Sequence, residues 1–201
     1  GLVRDKERQK MSKSKGNVID PLGITEKYGT DALRMALIVG NLPGNDSALS
    51  EDKIRGYRNF VTKLWNIHRF ITLRYDTASA KEKPKFTKED RARLKELNTL
   101  IAETTKHIEA FRFHHAAEAL YHYTWHTFAD KIIESAKARL ESDNATDRQA
   151  AQSLLIHIHA TLLRLLHPFM PFVTETLWET LPAAEITQPY LIIEPWPQPS
   201  R

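Results

Sequence analysis

Three lysines and two serines crowd into one short stretch, Lys10-Met11-Ser12-Lys13-Ser14-Lys15-Gly16-Asn17. Ammonium groups this close repel one another unless an anion sits among them, and a polyphosphate is the natural occupant. Phosphoryl and nucleotidyl transfer ask a protein mainly to position the substrate and to neutralise charge on phosphate oxygens. Lys13, central and flanked by Ser12 and Ser14, suits that task. Lys10 and Lys15 can share it, and Gly16 would let the loop swing over a nucleotide. Charge alone is equally compatible with a solvated basic loop.

A second concentration of charge lies between Glu51 and Tyr75, where Lys53, Arg55, Arg58, Lys63, Arg69 and Arg74 are set against only Glu51 and Asp52. On a helical wheel Arg55, Thr62, Asn66 and Arg69 oppose the apolar stripe, while Lys63, Phe70 and Arg74 line one flank beside Phe60 and Ile67. Basic and aromatic side chains on a half-exposed flank are what a protein offers to unstacked RNA bases, through phosphate pairing and base stacking. The plainer alternative is a solvated charged face with Phe60 and Phe70 packed on a neighbouring helix. Histidines supply no third site. His115, His122 and His126 lie near one helix face, but no carboxylate or thiol stands at a ligand spacing, so no metal site is expected. His68 falls within an apolar stripe and reads as a hydrogen-bonded core residue.

These residues belong to a chain of 201 residues with 29 Lys plus Arg against 25 Asp plus Glu, a formal charge of +4. That excess permits an anionic partner without demanding one, so the placement of charge matters more than its sum. No cysteine is present, which excludes disulfides and thiolate zinc sites and fits a cytoplasmic protein. No run approaches a membrane span, and residues 1–20 are too charged for a signal peptide.

The elements that must position the charges follow from local signals. Leu2-Val3-Arg4 and Lys10-Met11-Ser12 flank a polar stretch and predict a hairpin. Asp20-Pro21 opens a helix that Gly29 stops, and a second short helix runs from Thr30 to Gly40. The Pro-Gly pair in Leu42–Asn45 predicts a turn and divides the chain into residues 1–44 and 45–201. Beyond it come long amphipathic helices. The first is capped by Ser50, with a stripe of Ile54, Tyr57, Val61, Leu64, His68, Ile71 and Tyr75. Asp76–Phe86 reads as a linker. A second helix starts at the capping signature Thr87–Asp90 and buries Leu94, Leu97, Ile101 and Ile108. A third, from about His114 to Leu140, buries Tyr121, Trp125, Phe128 and Ile132. The fourth, Asn144 to Leu166, rests on Leu154, Leu155, Ile158, Leu162 and Leu165. After Pro168 and Pro171 a short helix reaches Trp178 and Leu181. The expected fold is mainly α, a helix bundle preceded by a small α/β region.

Lys10–Ser14 matches the KMSKS signature of class I aminoacyl-tRNA synthetases, and its surroundings extend the match. Gly1–Asp5, Val18-Ile19-Asp20-Pro21, Asp31-Ala32-Leu33-Arg34, Gly56–Phe60, Lys63–Asn66 and His167–Glu175 together resemble the valyl-tRNA synthetase family, with the isoleucyl and leucyl families next. The resemblance implies that residues 1–44 are the stem-contact region following a catalytic domain, and that residues 45–201 form the helical anticodon-binding domain. It implies that Lys10, Met11, Ser12, Lys13 and Ser14 contact ATP, with Lys13 and Lys10 catalytic as valine attacks the α-phosphate. Arg55, Arg58, Lys63, Arg69, Phe70 and Arg74 are the expected tRNA contacts. ATP with Mg2+ serves the full-length enzyme, and none is expected bound here. The partners implied are tRNA(Val), ATP and valine, with no membrane, for a monomer. The His-x-Gly-His string, the nucleotide-binding sheet, the editing domain and the coiled coil of the family are absent. So the chain is expected to be a piece of a longer ligase, inactive alone. A stand-alone RNA-binding helical module is the alternative from another class. The family's turn glycine is also missing from Asp5–Gln9.

Overall fold

A computed structural model describes residues 1–41, 44–76, 83–182 and 185–199. The N-terminal segment is tied down by strand β1 (Val3–Arg4), which pairs in parallel with β2 (Ser47–Ala48). The expected hairpin is reduced to one antiparallel bridge, Arg4 to Lys10. The reason is competition: Asp46 accepts from the Leu2 N–H at 2.8 Å and pairs with the Arg4 guanidinium, drawing the strand towards residues 46–48. In the turn Arg8 adopts φ 60°, the left-handed conformation that a glycine would take freely.

Helix α1 (Pro21–Tyr28) begins as expected, with the Asp20 carboxylate accepting from the N–H groups of Leu22 and Gly23. Gly29, at φ 87°, turns the chain into α2 (Thr30–Ile38). The expected turn at Leu42–Asn45 lies partly outside the described residues, as does most of the expected linker. Next comes α3 (Glu51–Thr72), capped by the Ser50 hydroxyl on the Lys53 N–H, with Glu51 and Asp52 in its first turn. Its buried residues are Ile54, Phe60, Leu64, Ile67, His68 and Ile71, whereas Tyr57 and Val61 are only half-buried. The buried arc is therefore wider than the expected stripe.

Helix α4 (Lys88–Glu109) carries the full capping box, Thr87 and Asp90 each accepting from the other's backbone. A continuous helical run then contains α5 (Phe113–His122), a π-helical stretch Tyr123–Ile133 and α6 (Glu134–Leu140). The wider turn shifts the register. Tyr123, Thr124, Phe128 and Ile132 face inward, while Tyr121 and Trp125, expected in the core, are half-buried at its edge. Leu94 and Ile108 are likewise half-buried.

Helix α7 (Ala145–Leu166) lies at the centre, with fifteen buried residues from Gln149 to Leu166. A helix buried nearly all round must be covered on several sides, and α3, α4, α5 and α6 supply the cover. Helix α8 (Pro171–Trp178) closes the bundle with Trp178 fully buried. Two polar clusters bind the layers. Arg139 makes bonds of 2.7 and 3.1 Å to Asp90 and 2.7 Å to Asp147. His68 meets His159 at 3.0 Å and Thr180 at 2.9 Å, so the histidine expected in the core is there and hydrogen-bonded. A smaller apolar cluster joins Ile24, Ala32, Leu33 and Ala36 to Leu49 and Ile54, so the N-terminal helices share a core with α3.

Candidate nucleic-acid interface

The lysine loop stands in solvent. Lys13–Lys15 form a single 3-10 turn with no buried residue, and Gly16 follows at φ 66°. Lys10, Lys13, Ser14 and Lys15 are exposed; Met11 and Ser12 are half-buried, and Met11 packs on the small apolar cluster. Its shape is held from below by polar bonds. The Asn17 amide donates to the Asp5 carboxylate at 2.7 Å and its oxygen accepts from the Ser12 N–H at 2.9 Å. The Asp5 carboxylate also accepts from the Gln9 N–H at 2.7 Å. The Asn17 bond holds the Asp5 carboxyl below its usual range. This arrangement presents an exposed cationic tip on a tethered base, which suits an anion.

On α3 the structure sorts the expected residues into two groups. Lys63 and Phe70 line one groove of about 260 Å³ with Asn66, Ile67, Ala129, Ile133, Glu134 and Lys137. The Lys63 ammonium lies 3.1 Å from Asp130 and 5.4 Å from the Trp125 ring centre, so it is held by both an ion pair and a ring face. The Arg74 guanidinium stacks 4.1 Å over the Phe70 ring. Phe60, expected beside this flank, is fully buried instead, tilted against Tyr121 at 4.8 Å and stacked on Trp125 at 6.1 Å. The second group, Arg55, Arg58 and Arg69, forms an exposed ridge away from that groove. Arg55 is ion-paired to Asp52 within its own helix.

Comparison with known proteins now bears on this geometry. Residues 90–201 match the family described as the anticodon-binding domain of tRNA ligase, and residues 1–50 match tRNA synthetases class I (I, L, M and V). The chain belongs to the anticodon-binding family of tRNA ligases. It is 44% identical to a valine–tRNA ligase of Geobacter sulfurreducens over 98% of this chain and 22% of that relative. A valine–tRNA ligase of Syntrophotalea carbinolica is 46% identical over 90% of this chain and 21% of that relative. The chain thus spans about a fifth of the length of the curated relatives it matches. The crystal structure of the ternary complex of Agrobacterium radiobacter K84 agnB2 LeuRS, tRNA and LeuAMS has the same fold, with a TM-score of 0.72 at 24% identity. It covers 99% of this chain and 23% of that one.

In this family member the sequence reading missed the far wall of the groove. Ala129, Ile133, Glu134 and Lys137 come from the π-helical stretch and α6, and their 3.6-residue periodicity is broken there. Asp130, the partner of Lys63, sits on the same stretch. Among the described residues no helix is long and apolar enough to cross a membrane, and no group of three or more His, Asp or Glu side chains could hold a metal ion.

Proposed function

We propose that the chain is the part of a valine–tRNA ligase that grips tRNA(Val) and carries the ATP-contacting loop. The reading rests on one observation above others: Lys63 and Phe70, two turns apart on α3, line a single groove with Asn66 in a chain 44% identical to a valine–tRNA ligase. An unpaired anticodon base can stack on Phe70 while Lys63 and Asn66 hydrogen-bond its edge. Arg74, lying over Phe70, closes the stack with a guanidinium plane. Arg55, Arg58 and Arg69 meet the phosphates beside it.

The lysine loop fits a nucleotide's polyphosphate. Lys13 and Lys10 neutralise charge on the phosphate oxygens while Met11, Ser12 and Ser14 shape the loop against the nucleotide. Mg2+ enters with the nucleotide in this reading. The amino acid is activated on the part of the ligase that lies outside this chain. The isolated 201 residues therefore bind tRNA as a cytoplasmic monomer and do not activate valine.

The test is binding of the chain to transcripts of valine, isoleucine and leucine tRNA across a salt series. Preference for the valine transcript, lost in Lys63→Ala and Phe70→Ala, is expected. Equal affinity for all three, or none for any, would overturn the reading. Valine-dependent pyrophosphate exchange by the chain alone would overturn the division of labour.

A further inference from the structure

Two sequence motifs do no work in that reading: Asp31-Ala32-Leu33-Arg34 and His167–Glu175. The structure joins them. The Asp31 carboxylate, 5% exposed, accepts from the N–H of Val173 at 2.7 Å and of Phe172 at 3.4 Å. Arg34 donates to the carbonyls of Pro168 at 2.9 Å and Phe169 at 3.1 Å. One residue pair on α2 thereby holds both sides of the chain bend before α8. At the second clamped point, in the first turn of α8, the backbone presents Phe172 outward, 62% exposed. Holding a large apolar ring in water costs free energy, and it is held there by four bonds from buried or half-buried groups.

Phe172 does not stand alone. It lines a groove of about 280 Å³ with Trp65, which is 48% exposed, and with Val61, Thr176 and the Tyr28–Ala32 turn. Lys63 and Trp65 are two positions apart, so at about 100° per residue they face nearly opposite ways round α3. The groove is therefore distinct from the one lined by Lys63 and Phe70. Arg58 and Arg69 lie seven and four residues from Trp65, on its side of the helix. Both are exposed, and among the described residues neither has an ion-pair partner. So the arginine ridge runs between two aromatic grooves.

We propose that Trp65 and Phe172 form a second stacking site for an unpaired nucleobase of RNA, with Arg58 and Arg69 taking the adjoining phosphates. Two ring-bearing walls and flanking guanidinium groups match the chemistry of a splayed nucleotide. The groove is smaller than the usual ligand cavity of ~300–1,000 Å³, which suits one base and not a docked helix. Asp31 and Arg34 are positioning residues, acting through the backbone of Phe172. The proposal rests on the tRNA reading above for its ligand and adds to it a second point of contact.

The experiment uses the 201-residue chain with a valine tRNA transcript, with melting curves confirming that each variant is folded. Trp65→Ala and Phe172→Ala are each expected to weaken binding roughly five- to a hundredfold, the range of one lost base stack. The slope of affinity against salt should not change for either. Arg58→Gln and Arg69→Gln are expected to lower that slope by about one each. Trp65→Phe keeps a stacking face and is expected to restore most of the affinity, while tRNA quenches its emission less than that of the unsubstituted chain. Unchanged affinity in Trp65→Ala and Phe172→Ala, or equal quenching with and without Trp65, overturns the site and leaves the face to a protein partner. If Phe70→Ala still weakens binding in that case, only this inference falls. If the chain binds no RNA, both readings fall.

Discussion

The lysine loop and the basic flank of α3 carry the same kind of charge on opposite kinds of support. The loop buries none of residues 13–15 and keeps its shape through Asn17 and Asp5, whose bonds are only partly buried. Each such bond is in competition with water and contributes modestly. The α3 flank stands on a 22-residue helix whose other side buries Phe60, Leu64, Ile67, His68 and Ile71. Moving Lys63 or Phe70 would require moving that core. The contrast matches the proposed tasks: a loop proposed to close over a small anion is tethered lightly, and a flank proposed to match the shape of a large partner is built on rigid packing.

The largest effects should therefore come from the support of α3. Phe60→Ala removes a fully buried ring packed on Tyr121 and Trp125, and should cost about 3–5 kcal/mol in denaturant or thermal unfolding. It should also weaken tRNA binding, because Trp125 loses the ring behind it and Lys63 rests on Trp125. A loss below about 1 kcal/mol would mean that packing does not set the flank. Trp125→Ala should cost less stability than Phe60→Ala, since Trp125 is only half-buried.

Next in size is the clasp between α4 and α6. Asp90 is 1% exposed, and Arg139 is its charge partner. Burial opposes the charge, yet the bonds from Arg139 and Thr87 prevail and hold the carboxyl below its usual value. Asp90→Ala should cost about 2–3 kcal/mol, less than a fully enclosed pair, because the Arg139 side chain is 22% exposed. A carboxyl lowered on folding contributes stability above its unfolded value of 3.8, lost as pH falls further. Asp90→Asn should flatten stability against pH in that acid range alone.

The buried histidines act in a different window. Burial lowers His68 to about 4 from 6.5, and the fully enclosed His159 is also lowered. Both are neutral in the folded chain, so the unfolded chain takes up their protons first. Their contribution is complete above about 6.5 and drains away as pH falls towards about 4. Replacing His159 with Leu should remove its share of that slope in melting temperature between those values and leave the share of His68 and of His114, His157 and His167, which burial also lowers. An unchanged slope would assign it to other groups. The loop lies far from this device in kind: it has no buried titrating group to couple its shape to the fold.

How far the sequence foretold all this depends on the range of the interactions involved. Caps at Asp20, Ser50 and Thr87 were legible because each acts within three residues. The central helix was legible from Leu154 to Leu165 by periodicity. The hairpin was not, because Asp46 competes for Leu2 and Arg4 from over 40 residues away. Phe60 was placed on the flank because a single stripe was traced for a helix that is packed on two sides. The π-helical stretch displaced Trp125 and supplied Asp130 to Lys63, and neither follows from a 3.6-residue wheel. The Asp31 clamp on Phe172, 141 residues on, has no local trace at all.

The smallest effect on stability should come from Asn17, and it separates the two regions most cleanly. Asn17→Ala deletes the bond to Asp5 and the acceptor for the Ser12 N–H, both near the surface. With no buried side chain lost, the melting temperature should move by no more than about 2 °C. Hydrogen exchange should nevertheless quicken at Ser12 and Gln9, the N–H groups whose bonds depend on Asn17 and Asp5. Affinity for tRNA should stay the same, since no groove on α3 is touched. If Asn17→Ala instead lowered the melting temperature as much as Phe60→Ala, the loop would be part of the core's cooperative unit. A lightly tethered flap would then be the wrong description of residues 10–16.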